Sequence, residues 1–217
     1  MKWSFSGLKK FITCPRQYHE VRVKKTYTEP ETQHTLYGHE VHQALEQLIS
    51  QGIPLPENYS KFDRFMEVIL AVPGIKYAEL KLAVDDQKRP CDFDGSAYWV
   101  RGICDLLISN PPQAYVLDYK TGSDKYADTK QLKLMAALVF HNFPLIQNIK
   151  AGLLFLTKEK FVDEEYSRQD LPDLWAVFSN DLRRLEHSYQ ENFWPVNPSG
   201  LCKKHCVVKS CEYNGRS

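Results

Sequence analysis

Apolar positions recur along this chain with two periods, and each change of period marks a new element. From Leu36 to Gln51 the residues Val41, Leu45, Leu48 and Ile49 repeat at helical spacing, and Gly52 follows where a left-handed helix cap belongs. His42, Leu45, Glu46 and Ile49 form an overlapping stripe at i, i+3, i+4 and i+7, which sets His42 and Glu46 at the edge of the buried face. A shorter first helix, capped by Ser4 or Ser6, turns Leu8, Phe11 and Ile12 inward. Lys61 to Leu70 reads as helix and is stopped by Pro73-Gly74. Lys130 to Phe143 places Leu134, Met135, Leu138 and Val139 inside and Gln131 in the first turn. Asp170 to Phe193 reads as a long helix rich in arginine, glutamate and aromatics.

Elsewhere the period is two. Lys76 to Val84 alternates, with Ala78, Leu80 and Leu82 on one face and Tyr77, Glu79 and Lys81 on the other. Trp99 to Ile108 and the run Val116-Leu117-Asp118-Tyr119-Lys120-Thr121-Gly122 are separated by Asn110-Pro111-Pro112, which predicts a hairpin. Ile149 to Leu156 is long and apolar enough for a strand buried on both faces. Thr28 to Gln33, Pro54 to Asn58 and Asp124 to Thr129 are polar connections, and Asp85 to Arg89 is a charged turn. These elements predict an α/β fold, a mixed central sheet flanked by helices. The tail from Pro195 is short and punctuated by proline and glycine.

Composition narrows the class. The chain has 217 residues, 43% hydrophobic and 25% charged, with 11 Phe, 12 Tyr and 4 Trp to fill a core. One α/β domain with a small appendage is expected. No run is long enough to cross a membrane as a helix, and Met-Lys-Trp-Ser-Phe-Ser-Gly lacks the apolar core of a signal peptide. A cytoplasmic protein with no membrane association is expected. The net charge of +1 excludes a global basic field. Charge is nevertheless uneven: Lys9, Lys10, Arg16, Arg22, Lys24 and Lys25 face a single acid, Glu20, between Lys9 and Lys25. Such a patch either holds phosphates or is a solvated helix face.

The strand run ending in Asp118 carries the candidate chemistry. Residues i and i+2 of a strand share a face, so Asp118 and Lys120 point together and Tyr119 points into the opposite side. Asp105 lies in a similar apolar setting thirteen residues earlier. An acid-x-Lys string is cheap: Glu79-Leu-Lys81, Asp86-Gln-Lys88, Asp118-Tyr-Lys120 and Asp128-Thr-Lys130 all occur. Such a pair is commonly a solvated face. In the hairpin, however, two aspartates and a lysine gather at one end of a sheet. Hard divalent cations need clustered oxygens, and an adjacent ammonium steadies developing charge. That is the minimal kit for metal-dependent phosphodiester cleavage.

Six cysteines give a second signal. Disulfides do not suit an intracellular chain. Cys104 reads as core, and Cys91, in a polar turn, has no explanation. Cys202-x3-Cys206-x4-Cys211 sits in a tail too short to fold by burial, so a metal clip is expected there, with Cys14 as a candidate fourth thiolate. Four thiolates suit a four-iron four-sulfur cluster; three with His205 suit zinc.

Gly38-His39-Glu40-Val41-His42 on a helix, Glu79 on a strand, Asp105, Asp118-x-Lys120 and then Gln131 opening a helix stand in an order that resembles the PD-(D/E)xK nuclease superfamily, and within it the RecB-like branch of helicase–nuclease domains, CRISPR-associated exonucleases and phage nucleases. The resemblance covers nearly the whole chain. It implies a restriction-endonuclease-like core in which His42, Asp105 and Asp118 ligate Mg2+ or Mn2+, Lys120 positions the attacking water, and Gln131 holds the site or the DNA. Glu79 would add a ligand through water. It further implies a structural iron–sulfur cluster on Cys14, Cys202, Cys206 and Cys211. The family's tail spacing is x2 then x5; here the middle cysteine is displaced by one and His205 occupies its place, which keeps zinc open. The implied activity is exonucleolytic hydrolysis of single-stranded DNA or DNA ends in recombination, repair or phage DNA processing, in a bacterial, archaeal or phage-infected cell. Lys9, Lys10, Arg16 and Tyr18 would contact DNA, and a helicase or recombination protein is a possible partner. The alternative is a non-catalytic nucleic-acid-binding or scaffolding protein on the same fold. The expected organisation is one nuclease domain over 1–217: a basic helical segment over 1–35, a core over 36–193 and a cysteine-rich tail over 194–217 packing near the N-terminus.

Overall fold

The computed structural model describes residues 1–123 and 128–216. The expected polar connection from Asp124 to Thr129 therefore lies largely outside the described residues. The chain divides into two compact units. One is built from Met1–Glu31 and Val177–Ser217, the other from Thr32–Ala176.

The larger unit holds a five-stranded sheet in the order β1-β2-β3-β4-β5. Its strands are β1 (Ile75–Val84), β2 (Val100–Asn110), β3 (Gln113–Lys120), β4 (Asn148–Phe155) and β5 (Lys160–Ser167). All neighbours are antiparallel except β3 and β4, which run parallel. A parallel pair needs a crossover, and α5 (Lys130–Asn142) supplies it. The sheet is thus mixed, as the pattern predicts. The expected hairpin is β2–β3, turning at Pro111-Pro112. β5 is the addition. Phe161, Asp163 and Glu165 alternate with Val162, Glu164 and Tyr166, so the acids fall on both faces and mask the strand period.

Two layers cover this sheet. On one face α5 is buried almost all round, from Leu132 to Phe140 with Lys133 as the break. Gly102 of β2 lets it in: a Cβ there would lie 2.2 Å from Met135 Cε. On the other face Val41 and Leu45 of α3 (Gln33–Gln51) and Met66 and Ile69 of α4 (Asp63–Ala71) pack on Leu106, Ile108, Leu117, Tyr119 and Leu154. Thr32 caps α3, and Gly52 ends it with φ 70°, the left-handed conformation its lack of a side chain permits.

The smaller unit holds α1 (Phe5–Thr13), capped by Ser4, then α2 (Pro15–Tyr18) and one π-helical turn, His19–Val23. The part of α6 (Leu171–Gln190) from Val177 onward and a short α7 (Leu201–Lys204) complete it. Its core is aromatic: Phe11, Tyr18, Tyr189 and Trp194 meet edge-on or stacked, and His19 stacks on Trp194 at 4.6 Å.

Candidate active site

Three acids form a row across the sheet. Ala78 pairs with Leu106 and Leu80 with Cys104, which sets Glu79 of β1 opposite Asp105 of β2. Continuing the β2–β3 register one step past Leu106↔Leu117 sets Asp105 opposite Asp118. Strand alternation then puts Asp105 and Asp118 on the α5 face, away from Leu106, Leu117 and Tyr119. Glu79 adopts φ 46° in mid-strand, a left-handed conformation rare for a residue with a side chain. Such strain persists where surrounding structure enforces it and clusters at functional sites.

His42 of α3 reaches this row. Its Nδ1 stands 3.6 Å from Glu79 Oε1 and 3.6 Å from Asp105 Oδ2. The other ring nitrogen, Nε2, lies 3.1 Å from the carbonyl oxygen of Tyr119. A carbonyl only accepts, so Nε2 carries a proton, and Nδ1 is the ring atom that faces the carboxylates. The Tyr119 peptide acts twice, because its N–H donates to Asp105 Oδ2 at 2.7 Å. The backbone of one residue, through the two peptide units that flank it, therefore orients both the imidazole and a carboxylate. Periodicity identifies Tyr119 only as a core ring, which it also is. Its main-chain role has no signature in sequence.

His42, Glu79 and Asp105 each offer a ligand atom, all within 4.8 Å of one another. An ion with bonds of about 2.1 Å holds adjacent ligands about 3.0 Å apart and opposite ones about 4.2 Å apart; the 3.6 Å separations at His42 fall between. Two carboxylates and a neutral imidazole suit Mn2+ and, with retained waters, Mg2+. Asp118, expected in this set, stands beside it in a closed triangle. Gln131 Nε2 donates to Asp118 Oδ1 at 2.5 Å, Lys120 Nζ lies 2.5 Å from Oδ2, and Lys120 donates to Gln131 Oε1 at 3.2 Å. The lysine contact is an ion pair by distance without the angles of a hydrogen bond. Glu79, expected as an auxiliary, is among the three.

The electrostatics are those of an anion cluster awaiting a cation. Burial, and then the charge of Asp118, push Asp105 up to about 7 against the pull of His42. Burial likewise raises Asp118, opposed first by Lys120. For His42 burial favours the neutral ring, but Glu79 and Asp105 together outweigh it and raise its pKa. Each raised group binds protons more tightly folded than unfolded. Without metal, stability from Asp105 is therefore present at about pH 4 and lost as pH rises to about 7, by up to about 4 kcal/mol. A bound cation removes this loss. Adding Mn2+ should raise the melting temperature more at about pH 8 than at about pH 5. An equal gain at both would show that the ion sits elsewhere.

The comparisons with known proteins follow the same outline. The family model of the PD-(D/E)XK nuclease superfamily matches residues 2–73 and 59–215. The chain belongs to that superfamily. No curated protein matches it. Among solved structures, that of a "putative exonuclease" from Eubacterium rectale is similar with a TM-score of 0.54 at 14% identity, covering 96% of this chain and 89% of that one. At this identity the likeness is one of fold. SSO0001 is similar with a TM-score of 0.43 at 14% identity, over 84% of this chain and 75% of that one, too distant to add to this. Asp105, Asp118 and Lys120 stand on the β2–β3 hairpin and Glu79 on the neighbouring β1.

The remaining candidates lie in the smaller unit. Cys14, Cys202, Cys206 and Cys211 are unpaired and line one cavity, together with Pro198 and Val208. His205 is not among its lining residues. It lines an adjoining cleft with Lys9, Lys10, Gln17, Arg22 and Cys206, the last shared with the cysteine cavity. Lys10 in that cleft is paired with Glu29. Arg16 lies against Glu20, at 3.3 Å. Tyr18 is buried in the aromatic core and bonds Tyr189 through its hydroxyl at 3.0 Å. Its ring is packed in protein, so a core role replaces the expected contact with DNA. Among the described helices none is long and apolar enough to cross a membrane.

Proposed function

We propose that this chain is a divalent-metal-dependent deoxyribonuclease of the RecB-like branch, an exonuclease acting on single-stranded DNA or DNA ends. The observation that carries this reading is the His42–Glu79–Asp105 trio standing beside the Asp118–Lys120–Gln131 triangle. A divalent ion, when bound, supplies a water of lowered pKa and neutralises charge on the phosphate. His42, Glu79, Asp105 and Asp118 would hold it. Among the described residues Lys120 is the cation paired with Asp118; it opposes the rise that burial imposes on that carboxyl and can donate to the attacking water or a phosphate oxygen. Gln131 fixes Asp118 and Lys120 relative to each other. Lys9, Lys10 and Arg22 would contact the phosphate backbone. Digestion of end-labelled DNA, single- or double-stranded and linear or circular, with Mg2+ and with Mn2+, tests the reading. Degradation of linear but not circular substrate is expected. Inertness on every substrate with both metals overturns it in favour of a non-catalytic binding protein.

The reading extends to the cysteines. Four thiols around one cavity suit an iron–sulfur cluster better than zinc on two grounds. His205 is not among the residues that line the cysteine cavity. Zinc bonds of about 2.3 Å hold thiolates no more than about 4.6 Å apart, whereas among the described residues no three of these sulfurs come within 4.8 Å of one another. The cluster would be structural, tying the tail to α2. Anaerobically prepared protein should contain iron and acid-labile sulfide; a preparation holding neither iron nor zinc sinks the proposal. A helicase or recombination protein remains the expected partner class.

A further inference from the structure

The sheet carries a second feature that the nuclease site does not use. Between α4 and the face formed by β3, β4 and β5 runs a groove of about 790 Å3, within the range of ligand sites. Its aliphatic floor is closed, since Ile69, Ile108, Leu117 and Leu154 are all buried. What a ligand can touch is mainly aromatic. Tyr115 is 36% exposed, Phe161 is 43% exposed, and Phe65 of α4 is half-buried beside them. Phe161 lies on the sheet over Gly152, where a Cβ would come within 2.1 Å of its ring. A glycine inside a central strand is otherwise a weakness; here it lets an aromatic ring rest on the sheet with a face free.

The rim is cationic. Arg64 has no ion-pair or hydrogen-bond partner among the described residues. The Lys61 ammonium lies over the rings of Tyr37 and Phe62 and has no ion-pair partner among the described residues. Lys150 is paired with Asp163 at 3.0 Å and Glu165 at 3.6 Å, and Glu159 is the one acid in the lining. Aromatic faces within a basic rim suit bases stacking while phosphates meet Arg64 and Lys61. An amphipathic helix would instead need an exposed aliphatic ridge, and here Val68 alone, 67% exposed, offers one.

We infer that this groove binds a short stretch of single-stranded nucleic acid by stacking on Tyr115 and Phe161. The ligand class rests on the nuclease reading; the residues do not. The test uses the full chain with chelator present, so that binding is read without cleavage. An oligothymidylate of about twelve nucleotides carrying 5-iodouracil is photocrosslinked and the sites mapped by mass spectrometry. Crosslinks at Tyr115 or Phe161 are expected. The double variant Tyr115→Leu with Phe161→Leu should weaken binding about 5- to 100-fold at an unchanged melting temperature. Arg64→Gln should weaken it less and lower the salt slope by about one. Crosslinks confined to the Lys9–Arg22 cleft, or wild-type affinity in the double variant, overturn the inference. So does an acidic amphipathic peptide that binds the groove when the oligonucleotide does not. Cleavage by the wild type is scored separately: groove-independent cleavage sinks this inference alone, and crosslinking without any metal-dependent cleavage sinks the nuclease reading alone.

Discussion

Lys120→Ala is expected to reduce metal-dependent DNA cleavage by about a hundred- to ten-thousand-fold while the protein stays folded. Lys120 ends β3, and its side chain is 34% exposed, so its removal leaves no cavity. Two effects combine in the loss. The ammonium that can meet the attacking water or phosphate disappears. Asp118 also loses the charge that most opposes its burial, so its pKa rises further and it ligates less well at neutral pH. Asp118→Asn should be as damaging at nearly constant volume. A metal titration separates the two effects: extra Mn2+ should recover part of the activity of the lysine variant and little of the asparagine variant. Single-turnover cleavage with melting temperature as the folding control is the measurement. Normal rates in both variants would place the chemistry elsewhere.

Arg168→Ala should destabilise the larger unit by about 3 kcal/mol, or a fall of about 6–12 °C in melting temperature, as much as the loss of a buried core side chain. Helix α5 ends with carbonyls that no helical N–H can reach. Arg168, just beyond β5, donates to three of the oxygens there: Phe140 at 2.8 Å, Phe143 at 2.8 Å, and Ile146 twice, at 2.8 and 2.5 Å. Its guanidinium also lies over the Phe140 ring at 5.1 Å. One residue thus caps the crossover helix and pins the turn leading into β4. Arg168→Lys should recover little, because a single ammonium cannot serve oxygens spread over a fork. Equal stability of the lysine variant and the wild type would show that charge alone matters.

What sequence disclosed and what it hid divide along physical lines. The helices α3 and α5 and the strand β4 were readable because each buries a continuous face, and burial writes itself as periodicity. β5 was hidden because it is an edge strand with Asp163, Glu164 and Glu165 in its middle. The acids of the site were readable from their order, yet their sharing was not. Glu79 joins the ligand trio through a φ of 46°, and glutamate gives no hint of that conformation. Tyr18 sits in a basic stretch that suggests DNA, but Trp194, far along the chain, claims its ring. Long-range partners of that kind are invisible to local pattern.

The Tyr119 peptide has a consequence for how this site can change over time. His42 and Asp105 are aimed by an amide and a carbonyl, not by a side chain. No substitution at 119 but proline, which lacks an N–H, deletes either group. Position 119 is therefore free to drift among large apolar residues without disturbing the geometry, provided the ring's place in the core is filled. The alignment of the ligands is inherited from the strand itself. To remove the N–H while keeping the side chain, a chemist would have to exchange the amide for an ester, a change that no codon specifies.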